Sequence, residues 1–428
     1  MVIAILLVSL FVMIILGFPV AFALAGSALL AILYDGQVPE LIVLHRMVGG
    51  MDSFPLLSIP FFVLAGGLMN SSGITNRIFN FANALVGWMR GGLGHVNISA
   101  SIMFAGMSGA AVADAGGLGA IEVKAMRNKG YDAGFAVGIT AASSTIGPII
   151  PPSLPMIIYG VMASASIGQL FAAGFIPGLL MAVSLMVMVA YYSKKRNYPK
   201  DAGFSPIRLG RTFKSAFLSL LTPVIIIGGI LIGVFTATEA AIAAAVYSLI
   251  LGAGVYRTLS IKKLVKVSME TIETTSIILM IIAGAAIFSW VLTSQHVTED
   301  FTRWMLTVTD NKTMLLLMIT FILFVVGCFM ETIAAITILT PVLLPIAVSL
   351  GIDPVHFGVV MVLNLMIGLL TPPVGMVLYV LSRVTKVPFE ECAKATIPFV
   401  IPLVIVLLLV TFVPQLSMWL PELIYGGS

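Results

Sequence analysis

The stretch SSTIGPIIPPS, Ser143–Ser153, lies inside an apolar segment and carries a glycine and a pair of prolines. A proline lacks the amide hydrogen and clashes with the preceding helical turn, so this pair predicts a break in a helix. The stretch GLLTPPVG, Gly368–Gly375, carries a second pair. Broken helices leave carbonyl groups free for cations and amide groups free for anions. The alternative for either stretch is a proline kink that only shapes packing.

The composition around these two stretches is that of a membrane protein. Of 428 residues, 60% are hydrophobic and 9% are charged, and the mean hydropathy is +1.13, which excludes a water-soluble globule. Cys328 and Cys392 have no metal-ligand spacing, so neither a zinc site nor a disulfide framework is expected. The N-terminus lacks a basic region and a cleavage site and is interpreted as a retained span. Because phosphate-loop and HExxH motifs are absent from the sequence, we expect no enzyme.

Hydropathy predicts ten membrane spans and two longer apolar stretches. The longer stretches, about 95–127 and 313–349, are interrupted midway, so each is expected to form a re-entrant helical hairpin. Amphipathic stretches at about 74–90 and 297–310 are expected to lie along the membrane surface. The spans are predicted at about 2–17, 19–34, 55–71, 133–165, 168–192, 214–235, 238–257, 271–293, 355–385 and 397–418.

The basic residues orient these spans. The most basic loop, about 193–214, is placed in the cytoplasm because lysine and arginine concentrate in cytoplasmic loops. Every other basic cluster then also falls on the cytoplasmic side. Both termini are expected on the extracytoplasmic side.

An internal repeat appears when the chain is shifted by 221 positions, which aligns Pro151–Pro152 with Pro372–Pro373 and Gly106 with Gly327. The halves are therefore predicted to be structural copies, and five crossings between equivalent points make one copy inverted. The predicted fold is an all-α polytopic membrane protein with two re-entrant hairpins and two broken helices. The predicted units are a first inverted repeat at 1–192 (broken helix about 133–165), a cytoplasmic linker at 193–213 and a second inverted repeat at 214–428 (broken helix about 355–385).

Four segments resemble the large membrane subunit of TRAP (tripartite ATP-independent periplasmic) transporters, and the resemblance covers essentially the whole chain. They are FPLLSIPFFVLAGGLMNSSGI (54–74), GMSGAAVADAGGLGAIEVKAMRNKGYDAGFAVGITAASSTIGPIIPPS (106–153), GCFMETIAAITILTPVLLPIA (327–347) and GLLTPPVGMVLY (368–379). The resemblance implies an elevator-type ion-transporter fold in a bacterial inner membrane, in which the extracytoplasmic termini predicted from the charges would be periplasmic. It also implies sodium-driven import of an organic acid, with a separate small membrane subunit and an extracytoplasmic substrate-binding protein. Sialic acid is the favoured substrate and a C4-dicarboxylate the next; a stand-alone sodium/anion symporter is the alternative.

The resemblance also places the tip of the first hairpin against the first broken helix. A carboxylate within the membrane costs several kcal/mol unless it faces a polar cavity or a partner, which makes Asp114 a functional candidate. Helix capping is the alternative for Asp114 and for Glu331, and it is the expected role of Asp132 and Asp353. The candidate substrate-binding residues are Ser108, Asp114, Ser143, Pro152, Glu331 and Thr371. Sodium prefers oxygen ligands, and its candidates are Ser108, Gly109, Ser144, Thr145 and Gly147 in the first copy and Gly327, Thr332, Asn364, Gly368 and Thr371 in the second.

Overall fold

The computed structural model describes residues 1–199, 203–309 and 311–426, and only the backbone of 106–108, 302, 306 and 308. Its regular structure in these ranges is helical, which satisfies the backbone hydrogen bonds of an apolar chain within each segment. The α-helices are α1 Val2–Ile15, α2 Val20–Asp35, α3 Leu41–Met51, α4 Ser58–Ser71, α5 Ile74–Val86, α6 Gly92–Ser108, α7 Ala111–Gly116, α8 Leu118–Asn128, α9 Ala133–Ser144, α10 Leu154–Ala163, α11 Ile167–Lys195, α12 Pro206–Leu231, α13 Ala237–Leu249, α14 Ile261–Ser294, α15 Val297–Val308, α16 Lys312–Phe329, α17 Thr332–Ser349, α18 Pro354–Gly368, α19 Met376–Thr385, α20 Phe389–Phe412 and α21 Gln415–Tyr425. A 3₁₀ turn at Phe54–Leu57 leads into α4, and a π-helical turn at Ile250–Val255 extends α13.

Eight of the described helical segments are long and apolar enough to cross a membrane, and shorter apolar helices accompany them. The expectation of an all-helical, multi-pass membrane protein is therefore confirmed. Both predicted long helices with central breaks are present as pairs of short helices: α9 and α10 in the first half, and α18 and α19 in the second.

Five helices differ from the predicted pattern, and two of them, α12 from Pro206 and α20 from Phe389, begin about eight residues before their predicted spans. Helix α3 occupies a stretch that the hydropathy analysis leaves between spans, and α21 follows the last predicted span. Helix α14 begins at Ile261, ten residues before the predicted start of its span at about 271, because its basic first turns continue the helix beyond the apolar segment. Hydropathy detects apolar length, so it misses amphipathic helices and polar extensions of spanning ones.

The first parts of the two broken helices, α9 and α18, lie at the centre of the molecule. All residues from Phe135 to Ser144 in α9 and from Val355 to Gly368 in α18 are buried. In α1, by contrast, only Leu6 and Leu10 are buried. A helix that is apolar on all sides and buried on all sides is packed by protein, whereas a helix with an exposed apolar face suits a lipid surface.

The helices form two packed groups. In one group, which we call the scaffold, α14 packs against α2, α3 and α4, and α13 packs against α4. In the other group, which we call the hairpin group, α6, α7 and α8 pack against α9, and α16 and α17 pack against α18. The groups meet where α4 contacts α6 and where α14 contacts α17.

The matched aspartates at the starts of α9 and α18 have different partners. The Asp353 carboxylate accepts hydrogen bonds from the amides of Val355 and His356, at 2.7 and 3.3 Å, so its predicted capping role is confirmed. The prediction for Asp132 is wrong, since its side chain makes no cap. Its carboxylate instead accepts the Tyr198 hydroxyl at 2.5 Å and the Arg196 guanidinium at 2.8 Å, which lower the pKa of Asp132.

Candidate functional site

The tip of the first hairpin touches the first helix break through backbone atoms. Gly109 follows α6 with a φ of +59°, and a Cβ built on it would lie 2.8 Å from the carbonyl oxygen of Pro152. The expected contact between tip and break is thus present for Gly109 and Pro152. The side chain of Ser108 lies outside the described residues. At the end of α9 the hydroxyls of Ser144 and Thr145 donate to backbone carbonyls of α9, at 2.8 and 2.7 Å, so their lone pairs remain available to a cation.

Asp114 lies in the first turn of α7 and its side chain is 2% exposed. It does not cap the helix, and neither carboxylate oxygen has a hydrogen-bond partner among the described residues. A buried carboxylate without hydrogen bonds is costly unless a cation or proton compensates it. The capping alternative is therefore wrong for Asp114, which leaves it as a candidate for ligand binding.

A buried polar network that the sequence reasoning missed lies beside Asp114. Asn97 of α6 donates from Nδ2 to Glu122 of α8 at 2.5 Å and to the Thr140 hydroxyl of α9 at 2.8 Å. The Ser143 hydroxyl donates to Asn97 Oδ1 at 2.6 Å and lies 3.4 Å from the hydroxyl of Ser101. The network connects both arms of the hairpin to α9, and it fixes the side chain of the predicted substrate residue Ser143.

The second hairpin meets the second break through glycine and backbone hydrogen bonds. A Cβ on Gly368 would lie 2.5 Å from the carbonyl carbon of Gly327, so these two candidates cross in direct contact. The Cys328 carbonyl accepts the amides of Val374 and Gly375, at 3.3 and 3.4 Å. The break between α18 and α19 is therefore stabilised by the end of α16.

The polar side chains of the second copy offer several free oxygens. Asn364 donates from Nδ2 to the Thr320 carbonyl at 2.8 Å, while its Oδ1 has no partner among the described residues. The hydroxyls of Thr320 and Thr332 are also buried and without partners in the described ranges. The Thr371 hydroxyl donates to the Ile367 carbonyl at 3.2 Å. Glu331 accepts the amides of Ile333 and Ala334, at 2.8 and 3.2 Å, so its capping alternative is confirmed.

The two halves interlock. Helix α7 of the first hairpin packs against α19, the second part of the opposite broken helix, and α17 of the second hairpin packs against α10. No hydrogen bond among the described side chains joins Asp114 and Ser143 to Glu331 and Thr371. The structure therefore forms two separate polar clusters within one packed group of helices.

A cavity of about 240 Å³, the tip cavity, lies between the first hairpin tip and the scaffold. Ala110, Ala113 and Leu154 line it from the hairpin side, next to the candidates Gly109, Asp114 and Pro152. The scaffold contributes α4 and α14. Its lining residues there are Phe62, Val63, Gly66, Gly67, Asn70, Val267, Glu270, Thr271 and Thr274. The polar residues among them were not predicted, because neither span carries a motif that marks it as facing the tip.

A second cavity, of about 570 Å³, lies at the other end of α10. Residues of the α10–α11 turn, from Gly160 to Gly168, form one wall, and Ser53, Thr236 and Thr238 lie on the opposite side. Helix α10 thus connects the tip cavity at Leu154 with this end cavity at Gly160.

The donor atoms of both clusters fit a monovalent hard cation. No group of three or more histidine, cysteine, aspartate or glutamate residues is placed to hold a metal in the described part of the chain. The available atoms are carboxylate, amide, hydroxyl and carbonyl oxygens, the ligands that hard cations prefer. The orphaned oxygens of Asp114, Thr332 and Asn364 are the observations that support this fit.

Comparisons with known proteins find a matching family, similar sequences and a similar fold. Residues 7–416 match the family model of the tripartite ATP-independent periplasmic transporter, DctM component. The chain is 49% identical to the sialic acid TRAP transporter large permease protein SiaM of Vibrio cholerae, over 96% of each chain. It is 38% identical to the C4-dicarboxylate TRAP transporter large permease protein DctM of Pseudomonas aeruginosa, over 93% of each. Its fold is similar to the YdaH transporter of Alcanivorax borkumensis, with a TM-score of 0.59 and 15% identity over 86% of each chain.

The close contact at the first tip predicts a specific effect of Gly109→Ala. The left-handed φ of Gly109 costs an alanine roughly 1–2 kcal/mol, and the Pro152 carbonyl adds a steric clash. Gly130→Ala is the matched control, because Gly130 has a φ of +84° but nothing within 4 Å of the added methyl group. Thermal unfolding of the purified protein should show the larger loss for Gly109→Ala. Equal losses in the two variants would contradict the contact.

Proposed function

The chain belongs to the DctM family of TRAP transporters, and we propose that it imports an organic acid by sodium-coupled secondary transport. Its relatives are named transporter permeases, so it is a transport protein and not an enzyme. The observation that carries the proposal is the pair of helix breaks, each held against a hairpin. Repeated breaks of this kind provide ion and substrate sites in secondary transporters.

Two sodium sites are proposed, one at each break. In the first copy the carbonyl groups of Gly109 and Gly147 and the hydroxyls of Ser144 and Thr145 would hold the ion. In the second copy Gly327, Gly368, Thr332, Asn364 and Thr371 would supply the oxygens. The supporting observation is that Asn364 Oδ1 and the Thr332 hydroxyl are buried without partners in the described ranges. Bound sodium would supply positive charge beside an anionic substrate.

The substrate is proposed to be a sialic acid. The name of the Vibrio cholerae relative supports this choice. The position of α10 supports an anionic group, because the tip cavity reaches Leu154 at the start of this helix, where the helix dipole is positive. The name of the Pseudomonas aeruginosa relative supports a C4-dicarboxylate as the second candidate.

Transport is proposed to follow an elevator movement of the hairpin group past the scaffold. The supporting observation is the tip cavity, which lies between the first hairpin tip and scaffold helices α4 and α14, with α10 extending from this cavity to the end cavity. A stand-alone sodium/anion symporter is the alternative function.

Capture of the substrate is assigned to an extracytoplasmic binding protein, and a small membrane subunit completes the complex. The family description is that of a tripartite periplasmic system, which supports both partners. The proposed location is the bacterial inner membrane with both termini in the periplasm.

The tripartite proposal predicts that import depends on the binding protein. The chain and its small membrane subunit are reconstituted in liposomes with an inward sodium gradient, and uptake of labelled sialic acid is measured. Uptake should be negligible until loaded binding protein is added outside. Robust sodium-driven uptake without the binding protein would favour the stand-alone symporter. A C4-dicarboxylate in place of sialic acid distinguishes the two substrate candidates.

The two-site proposal predicts that Ser144→Ala and Thr371→Ala each raise the sodium concentration for half-maximal uptake. Loss of one hydroxyl ligand corresponds to about 1 kcal/mol, or about fivefold in affinity. Thr212→Ala is a suitable control, since Thr212 lies in α12 and donates to the Arg208 carbonyl at 2.9 Å, away from both breaks. An unchanged sodium dependence in both site variants would refute the two-site proposal.

The elevator proposal predicts that a cross-link across the tip cavity stops transport. Ala113→Cys and Thr274→Cys face the cavity from the hairpin group and the scaffold, in a background of Cys328→Ala and Cys392→Ala. Asn70→Cys with Thr274→Cys is the control pair, because both of its residues belong to the scaffold. Full uptake in a quantitatively cross-linked Ala113→Cys/Thr274→Cys protein would argue against the movement.

A further inference from the structure

The polar network around Glu122 has no counterpart in the second half of the chain. In the register of 221 positions, Asn97 corresponds to Met318 and Glu122 to Leu343. Leu343 is 1% exposed, so the matching position in the second hairpin is filled by a buried apolar side chain. The hairpin fold therefore does not require a carboxylate at this position. A function specific to the first half explains its presence better than packing does.

Glu122 is unusual among the glutamates of this chain. It is the one that is buried, at 2% exposure, whereas Glu331 is half-buried and the other eight are exposed. Asn97 donates to its Oε2 at 2.5 Å, and its Oε1 is buried with no partner in the described part of the chain. One hydrogen bond from a neutral amide does not compensate a buried carboxylate charge.

The helices packed against α8 supply no compensating cation to Glu122. Helix α9 carries no titratable group, and α7 presents Asp114, whose charge repels that of Glu122. Helix α6 presents His95, which is buried and forms no ion pair with Glu122. On α19 the titratable residues Tyr379 and Arg383 are exposed. On α8 itself Lys124 and Arg127 are exposed as well.

We propose that Glu122 is a proton-binding site of the first hairpin, separate from the proposed sodium sites. The bound proton neutralises the carboxyl group, so Asn97 Nδ2 donates to a neutral acid and Asn97 Oδ1 accepts the Ser143 hydroxyl. Loss of the proton places a second charge beside Asp114 and disturbs the network that orients Ser143. Proton occupancy of Glu122 is thereby linked to the first helix break.

Infrared spectroscopy tests the proton directly and does not depend on the proposed transport function. The full chain, labelled with ¹³C in the glutamate carboxyl groups, is measured in lipid at about pH 7, where an ordinary glutamate is ionised. Glu122→Gln should lose a labelled band of a protonated carboxyl group. Loss of a labelled carboxylate band instead would overturn the proposal. Glu239→Gln is the control and should lose a carboxylate band, because Glu239 is exposed and accepts the Thr236 amide at 2.8 Å.

A second measurement keeps the proposal testable if Glu122→Gln does not fold. Apart from Glu122, Glu331 is the one glutamate that is not exposed. If labelled Glu331→Gln protein keeps a band of a protonated carboxyl group, that band belongs to Glu122. Absence of a protonated band in that protein would overturn the proposal.

The link to transport rests on the proposed function and is tested separately. Sodium-driven uptake of the wild type should fall as the pH is raised from about 6 to about 9, because Glu122 loses its proton. Glu122→Gln, which copies the neutral acid, should retain uptake and lose this decline, while Glu239→Gln should follow the wild type. A Glu122→Gln protein that declines like the wild type, or that folds but does not transport, would overturn the link. Absence of uptake in the wild type would instead contradict the proposed transport function.

Discussion

The need to satisfy backbone groups in the middle of an apolar protein governs this structure. Each proline pair lies in a break between two short helices, where the helical hydrogen-bond pattern cannot continue. At the second break the Cys328 carbonyl accepts the amides of Val374 and Gly375. At the first break the tip glycine, Gly109, approaches the Pro152 carbonyl so closely that a Cβ would not fit. Each hairpin is therefore in direct backbone contact with a break.

Contacts between hairpins and broken helices also explain how two separate polar clusters belong to one body of helices. Helix α7 packs on α19 and α17 packs on α10, so each hairpin is held by parts of both broken helices. The packing arrangement around one cluster therefore includes helices of the other. Small residues such as Gly327 and Gly368 permit this arrangement because any larger residue would separate the two backbones.

The sequence predicts the features that depend on local chemistry and misses those that depend on contacts between distant segments. The proline pairs and the 221-residue register locate both breaks, because two adjacent prolines remove two amide donors and clash with the preceding turn. The partners of Asp132 and the network of Asn97 were not predicted, since Tyr198 and Glu122 are distant in sequence and carry no shared motif. Capping by Asp353 was predicted correctly because the acceptor and the amides are neighbours along the chain, whereas the same pattern fails at Asp132, whose carboxylate is held by distant residues.

The comparison of the two halves separates what the fold needs from what its chemistry adds. Both halves build a hairpin against a broken helix, yet one fills the interior of its hairpin with Met318 and Leu343 and the other with Asn97 and Glu122. Apolar side chains pack such an interior without the desolvation cost of a buried carboxyl group. The polar interior of the first hairpin therefore gives no advantage in packing. Its hydrogen bonds lead from α8 through Asn97 to Ser143, at the edge of the first break. Because these hydrogen bonds run from Glu122 to the first break, the break becomes sensitive to the charge of Glu122. An apolar interior cannot provide this link.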